Sequence, residues 1–390
     1  MATNISNEER KLFDILRKDK LEDSRTFSKS SNRGLWKTII EQYPESAHFI
    51  YELLQNANDA KATYVKIILS KKGIVFKHNG TIQFSITPLD AKPVGHINAI
   101  TSIGDSSKDG LNTIGKFGIG FKSVFTYTDT PEVYDDKFWF RIENYIVPTL
   151  LNDDHHLRED GETLFWLPFR VNEEEQSYKE IYKKVRGLDN PILFLDSLES
   201  VEWKDLTTNH TSIYSKNIDE SCVINGIDCE RIGILNGKKK SSIWMFHRKV
   251  KIDGINKSHR ISVGYYLKEK GEDYVIDTAC DPKVFCFFPT SVKFHQKRVM
   301  HAPFLLTASR SELLEDNDHN EFLIEELAKL SADSLVCLRD IGLKNKQTLS
   351  TYIKATSQER KDIVEYHHSI LVHCLRILEN QHCLIASTVL

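Results

Sequence analysis

Glu52-Leu53-Leu54-Gln55-Asn56-Ala57-Asn58-Asp59-Ala60 is the stretch on which the reading of this chain turns. On a helix, Glu52, Asn56 and Asp59 fall at i, i+4 and i+7 and share one face. Ile50, Leu53, Leu54 and Ala57 occupy the remaining positions as an apolar surface. A carboxylate beside a carboxamide has usable chemistry. The Asn56 side-chain oxygen can ligate a hard cation such as Mg²⁺. The Glu52 carboxylate can orient and deprotonate a water that attacks a phosphate. An amphipathic helix with a polar outer face accounts for the same stripe without any chemistry.

Working outward, the next unusual run is Gly115-Lys116-Phe117-Gly118-Ile119-Gly120-Phe121-Lys122-Ser123. Glycines at this density let backbone N–H groups approach an anion, and the helix that starts at residues 121–126 adds a positive N-terminal end. The spacing is GxxGxG. It matches neither the dinucleotide-binding GxGxxG nor a Walker A loop. A tight turn before a packed helix would use the same glycines.

Around these motifs the chain alternates between helix and strand signals. Residues 6–30 read as a polar helical lead-in. Residues 35–60 carry Trp36, Ile39, Ile40, Phe49, Ile50, Leu53, Leu54 and Ala57 at helical spacing. Residues 64–69 and 73–77 read as strands about a Lys71-Lys72-Gly73 turn. Residues 88–112, rich in Gly, Ser, Asp and Asn, read as a mobile loop around a short helix. Strands are predicted at 137–142 and 163–168. The polar run Asn172-Glu173-Glu174-Glu175-Gln176 points to a domain boundary between about 172 and 190. Beyond it, 192–310 is strand-rich, with strands at 201–203, 242–247, 260–267 and 284–288. Residues 320–340 are helical, with Phe322, Leu323, Leu327, Leu330, Leu335 and Leu338 on one side. Residues 345–390 read as helical too, and their apolar end suggests a cut from a larger protein. The expected division is a lead-in at 1–34, a first domain at 35–175, a second at 176–330 and a helical segment at 331–390.

The bulk numbers exclude several classes. A chain of 390 residues is too long for one ordinary core, so two or three domains are expected. The hydrophobic fraction of 40% and charged fraction of 27% are those of a soluble globular protein. A net charge of −3 gives no general grip on nucleic acid. Lys238-Lys239-Lys240 reads as a solvated turn. No stretch approaches the ~20 apolar residues of a membrane span, and the N-terminus lacks the apolar core of a signal peptide. The seven cysteines are scattered without a CxxC, which argues against a disulfide framework or zinc site and fits a reducing, cytoplasmic location.

Taken in order, the Glu-x3-Asn-x2-Asp-Ala helix, a strand ending in a turn, a polar lid and GxxGxGF resemble the GHKL superfamily. That superfamily comprises gyrase B, the ninety-kilodalton heat-shock chaperones, histidine kinases and MutL. The runs 53–60, His78-Asn79-Gly80, Thr101-Ser102-Ile103-Gly104-Asp105-Ser106-Ser107-Lys108 and 114–125 look most like the chaperone-like branch with the sacsin N-terminal modules and the MORC proteins. The resemblance covers roughly residues 35–170. It implies an α/β chain with a Bergerat-fold ATPase domain, an α+β two-layer sandwich. A transducer-like α/β domain and a C-terminal helical segment would follow.

The resemblance also implies roles. Glu52 would be the general base and Asn56 the ligand of Mg²⁺ and the phosphates. Asp59 and Ala60 would pack near the nucleotide. Ser106, Ser107 and Lys108 would belong to an ATP lid. Gly115, Lys116, Phe117, Gly118, Ile119, Gly120 and Phe121 would wrap the phosphates. Thr163, after Gly161, resembles a Gly-Thr element beside the adenine, although Glu162 intervenes. The superfamily usually has Asp-x-Gly where this chain has His78-Asn79-Gly80, a form the resemblance marks as common in the sacsin-like branch, and that Asp accepts a hydrogen bond from the adenine amino group. A neutral His can accept through one ring nitrogen, and Asn79 can do so if the register shifts by one. Downstream, Ser309-Arg310-Ser311-Glu312 resembles the stretch that brings an Arg to the γ-phosphate. The alternative reading of Arg310 is a surface-loop Arg in a salt bridge, and Lys293, Lys297 and Arg298 are weaker rivals for the role.

Two functions follow from the resemblance. The first is a slow ATPase acting as a conformational switch, in which ATP closes the lid, engages Arg310 and pairs two protomers. By analogy it would serve a microbial defence system or a chaperone-like machine with a protein partner. The second is a nucleotide-sensing interaction module or scaffold that binds ATP without turning it over. Histidine-kinase activity fits poorly, because no dimerisation helix pair with a phosphoacceptor His precedes the motifs.

Overall fold

A computed structural model describes residues 5–27, 49–102, 120–252, 258–271, 273–280, 283–292, 297–307 and 312–343. The chain divides into two compact units, Met1–Ser215 and Lys216–Leu390. Both are mixed α/β, with helices against sheet, so the fold is of the α+β kind.

The first unit starts with α1 (Asn7–Phe27) and α2 (Phe49–Asp59). The start of α1 is a capping box: the Glu9 N–H donates to Ser6 Oγ at 3.2 Å, and the Ser6 N–H donates back to Glu9 Oε2 at 2.9 Å. Phe13 and Leu16 bury its inner face, and Phe13 meets the Phe140 ring edge-on at 6.1 Å. In α2 the apolar Phe49, Ile50, Leu53, Leu54 and Ala57 are all at most 1% exposed. The helix stops because Lys61 turns left-handed at φ 64°, and the Ala62 N–H reaches back to the Ala57 carbonyl at 2.9 Å.

The strands follow: β1 (Tyr64–Ser70), β2 (Gly73–His78), β3 (Glu132–Tyr134), β4 (Trp139–Glu143), β5 (Val147–Leu150), β6 (Thr163–Pro168), β7 (Ser200–Asp205) and β8 (His210–Ile224). Between β2 and β3 lie α3 (His96–Ile100) and a 3₁₀ turn (Phe121–Thr126), and α4 (Glu174–Arg186) precedes β7. The sheet order is β8-β7-β1-β2-β6-β3-β4-β5. β1 pairs parallel with β7 and antiparallel with β2. It alternates as its sequence does, with Val65, Ile67 and Leu69 buried. β2 is buried along its whole length. Its first residue must be glycine, since a Cβ at Gly73 would lie 2.5 Å from both the Leu167 carbonyl and the Trp166 ring.

The second unit continues with β9 (Ile227–Asn236), β10 (Lys239–Lys251), β11 (Ser258–Lys270), β12 (Asp273–Ile276), β13 (Val284–Cys286), β14 (Phe288–Pro289) and β15 (Val299–His301). The order is β14-β13-β15-β11-β10-β9, with β12 on β11. The turn Asn225-Gly226 has φ of 52° and 77°, the left-handed pair that a two-residue hairpin needs. The last described helix, α5 (Asp318–Asp340), is capped by Asn317, whose side chain accepts from the Asn320 N–H. Leu323, Leu327 and Leu335 of α5 pack with Trp244, Phe246, Val263 and Tyr265 of β10 and β11.

Several expectations change. The units part at Ser215, whereas the polar run at 172–190 pointed to a boundary there. That run instead opens α4, an amphipathic helix that buries Ser177, Ile181 and Val185 at i, i+4 and i+8. The expected break at 330–331 falls inside α5. Residues 121–126 form a 3₁₀ turn and not the start of an α-helix. The strand expected at 284–288 breaks at Phe287, whose φ is 62°, so β14 folds back antiparallel on β13. The helical readings of 35–48 and 345–390 lie outside the described residues. Among the described residues, no helix is long and apolar enough to cross a membrane.

Candidate functional site

The polar stripe of α2 faces inward. Glu52 is 3% exposed and Gln55 2% exposed, while Asn56 and Asp59 are half-buried. Glu52 lies against Gly120, the last glycine of the GxxGxG run. A Cβ built on Gly120 would stand 1.9 Å from Glu52 Oε2 and 2.5 Å from Cδ. Gly120 has φ −60° and ψ −43°, a conformation open to any residue. Its requirement is therefore space for the carboxylate. The two motifs, far apart in sequence, are neighbours in the fold.

Gly120 caps the 3₁₀ turn, and its carbonyl accepts from Ser123 Oγ at 2.6 Å. Phe121 is buried, with its ring 5.9 Å from that of Phe165. Lys122 is a structural tie. Its Nζ donates to the carbonyls of Ile100 at 2.8 Å and Tyr145 at 2.7 Å. Complete burial pushes its amine down to about 7.

At the far end of α2, β2 and β6 pair so that His78 stands opposite Thr163. Directly opposed residues share a sheet face, and Phe76 and Phe165 line the same face two residues along. The His78 ring is 6.2 Å from Phe165. The turn after His78 closes on α2, since a Cβ at Gly80 would meet Ala60 Cβ at 2.8 Å and the Ala60 carbonyl at 2.9 Å. The Gly80 N–H donates to His78 Nδ1 at 3.0 Å. Burial holds the His78 imidazole neutral, pushed down to about 4.

Asn79 is engaged elsewhere. Its Oδ1 accepts from the N–H groups of Thr63 and Tyr64, both at 3.0 Å, and its Nδ2 donates to Thr63 Oγ1 at 2.8 Å. It clamps the start of β1, which removes it as the acceptor of a shifted register. Glu162 also leaves the site. It accepts from Lys77 Nζ at 2.7 Å and from the Tyr64 hydroxyl at 2.9 Å. Lys77 precedes His78 on β2 and so faces the opposite side of the sheet. The residue inserted between Gly161 and Thr163 therefore does not crowd Thr163.

Gln55 is a site residue that the spacing argument passes over. It sits at i+3 from Glu52, and its buried Nε2 has no hydrogen-bond partner among the described residues. Its signal was a carboxamide at the one remaining stripe position. Among the rivals to Arg310, Lys297 donates to the Cys280 carbonyl at 3.2 Å and Arg298 is 1% exposed. Ser106, Ser107, Lys108, Gly115, Lys116, Phe117, Gly118, Ile119, Lys293 and Arg310 lie outside the described residues.

The chain is similar to Protein NO VEIN of Arabidopsis thaliana. The identity is 27% over 334 residues, 78% of this chain and 12% of NO VEIN. Human sacsin is 29% identical over 135 residues, 32% of this chain and 3% of sacsin. The chain thus spans a small part of each curated relative and is a distant homologue of both. The N-terminal domain of a DNA repair protein overlays 79% of this chain and 98% of itself, at a TM-score of 0.43 and 12% identity. No family model matches the chain.

Proposed function

We propose that the first unit is an ATP-binding module of the Bergerat, GHKL type, and that it hydrolyses ATP slowly as a conformational switch. The contact of Glu52 with Gly120 carries this reading. It brings a carboxylate against the last glycine of the GxxGxG run, which supports a general-base role for Glu52 in phosphate hydrolysis. One helical turn on, Asn56 offers an oxygen to Mg²⁺, and the buried Gln55 amide offers a donor to a phosphate oxygen. His78, Thr163 and Ala60 would hold the base at the other end of α2. Glu52 and Ala60 are about 12 Å apart along the helix axis, a span suited to a triphosphate laid along it. The similarity to NO VEIN and sacsin supports the same reading. ATP-dependent pairing of protomers and a protein partner belong to this proposal.

A module that binds ATP without turnover is the second reading. The burial of Glu52 favours it, because a general base needs contact with water. Glu52→Ala separates the two. The expected outcome is retained ATP binding with phosphate release reduced to background. Equal release by wild type and variant would remove hydrolysis and leave binding.

A further inference from the structure

We propose that Cys222, Cys229 and Cys337 form a disulfide-exchange site in the second unit, where the exposed Cys222 thiol reacts with a small-molecule disulfide and the oxidation ends as a buried Cys229–Cys337 bond between β9 and α5. The inference goes beyond the nucleotide reading and does not rest on it.

Strand register brings the first two thiols together. The Asn225-Gly226 turn joins β8 to β9 through two left-handed residues, so Ile224 stands opposite Ile227 and Cys222 opposite Cys229. The ion pair of Arg231 with Glu220, at 2.7 Å, follows the same register. Opposed residues of this kind have Cα atoms about 5.5 Å apart, within the range that a disulfide spans. The pairing of β8 with β7 ends at Ser215, and Cys222 is exposed. Cys229 is buried opposite Phe246 of β10.

The third thiol comes from α5. Cys337 is buried in the same apolar cluster as Cys229. Its Sγ lies 3.9 Å from the Ile224 carbonyl, and the Cys229 Sγ lies 3.3 Å from the Ile227 carbonyl, at the two ends of one turn. The Cys229 thiol is within hydrogen-bonding reach of both Cys222 and Cys337. A hydrogen bond from Cys229 holds the Cys337 thiol below its ordinary value, which favours Cys337 as the last attacking sulfur. A soft metal is the other ligand that three thiols suggest, but among the described residues no group of His, Cys, Asp or Glu could hold a metal ion.

The exchange balances in three steps. The Cys222 thiolate attacks a sulfur of the small disulfide, forms a mixed disulfide and releases one small thiolate. The Cys229 thiolate attacks the Cys222 sulfur and releases the second. The Cys337 thiolate attacks the Cys229 sulfur and returns Cys222 as a thiolate. Two protein thiols lose two electrons and two protons, and the small disulfide gains them as two thiols. Burial holds the Cys222 thiol above its ordinary value, so the first step should quicken as pH rises.

The test is incubation of the folded full chain with glutathione disulfide, followed by alkylation of the remaining thiols and peptide mass mapping. Wild type is expected to yield the Cys229–Cys337 bond, with Cys222 alkylated, and a thermal midpoint raised by several degrees that dithiothreitol reverses. Cys222→Ser should slow formation of that bond about tenfold or more and leave its identity unchanged. Cys337→Ala should stop the exchange at Cys222–Cys229. Wild type carrying only glutathione on Cys222, with Cys229 and Cys337 still reduced, overturns the proposal. So does a Cys229–Cys337 bond that forms at the wild-type rate in Cys222→Ser. If Cys337→Ala fails to fold by circular dichroism, the wild-type map and the exposed Cys222→Ser variant still decide.

Discussion

Gly120 and Glu52 show how much hangs on single atoms. An alanine at Gly120 has no backbone strain to meet, yet its Cβ would stand 1.9 Å from Glu52 Oε2. The flexible carboxylate would yield and the fold would not. Gly120→Ala is therefore expected to keep its thermal midpoint within a few degrees. It should lose about a hundredfold in phosphate release, as a displaced general base does. Wild-type turnover in that variant would take Glu52 out of the reacting geometry. At this scale the sequence was informative about residue type and blind to contact. Helical spacing alone joined Glu52, Asn56 and Asp59. Nothing local joined Glu52 to Gly120, because that contact depends on atoms brought from elsewhere in the chain.

At the scale of elements, the β2–β6 pairing sorts its residues by face. His78 and Thr163 lie on one side, and Lys77 with Glu162 on the other. The Lys77 and Glu162 side chains are 5% and 2% exposed, and Tyr64, bonded to Glu162, has its hydroxyl pushed up to about 12 by burial and that carboxylate. Removing one partner strands the other as a buried charge, with Glu159, 70% exposed, as its remaining carboxylate. Glu162→Ala is expected to destabilise the first unit by about 3 kcal/mol, read from the urea midpoint. Nucleotide affinity measured well below that midpoint should stay near wild type, since the pair faces away from His78. A large loss of affinity at unchanged stability would contradict the assignment of faces. Strand periodicity made 64–69, 73–77 and 163–168 legible. It missed the break at Phe287, because a left-handed turn at an aromatic residue leaves no mark in the hydrophobic pattern.

At the scale of the whole chain, the boundary at Ser215 carries a prediction. A fragment ending at 215 keeps α4 and the parallel pairing of β7 with β1. A fragment ending at 175 exposes that edge of β1, together with the core that Ile181, Val185, Val201 and Trp203 complete. The longer fragment is expected to unfold in one cooperative transition, and the shorter one to aggregate or lack a transition. A cooperative 1–175 fragment would put the boundary between about 172 and 190. The polar run at 172–190 misled because a surface helix with one narrow buried stripe has the composition of a linker.

By itself, then, the sequence determined the chemistry at hand: two carboxylates and a carboxamide on one helical face, a glycine-rich run and a His-Asn-Gly turn. Those follow from spacing along the chain, which covalent geometry and helical repeat control. Tertiary structure decided which of these groups meet, which of them the fold itself engages, and where the compact units divide. Such matters depend on strand register and on contacts between residues far apart in sequence, which leave Glu52 against Gly120 and clamp Asn79 to β1.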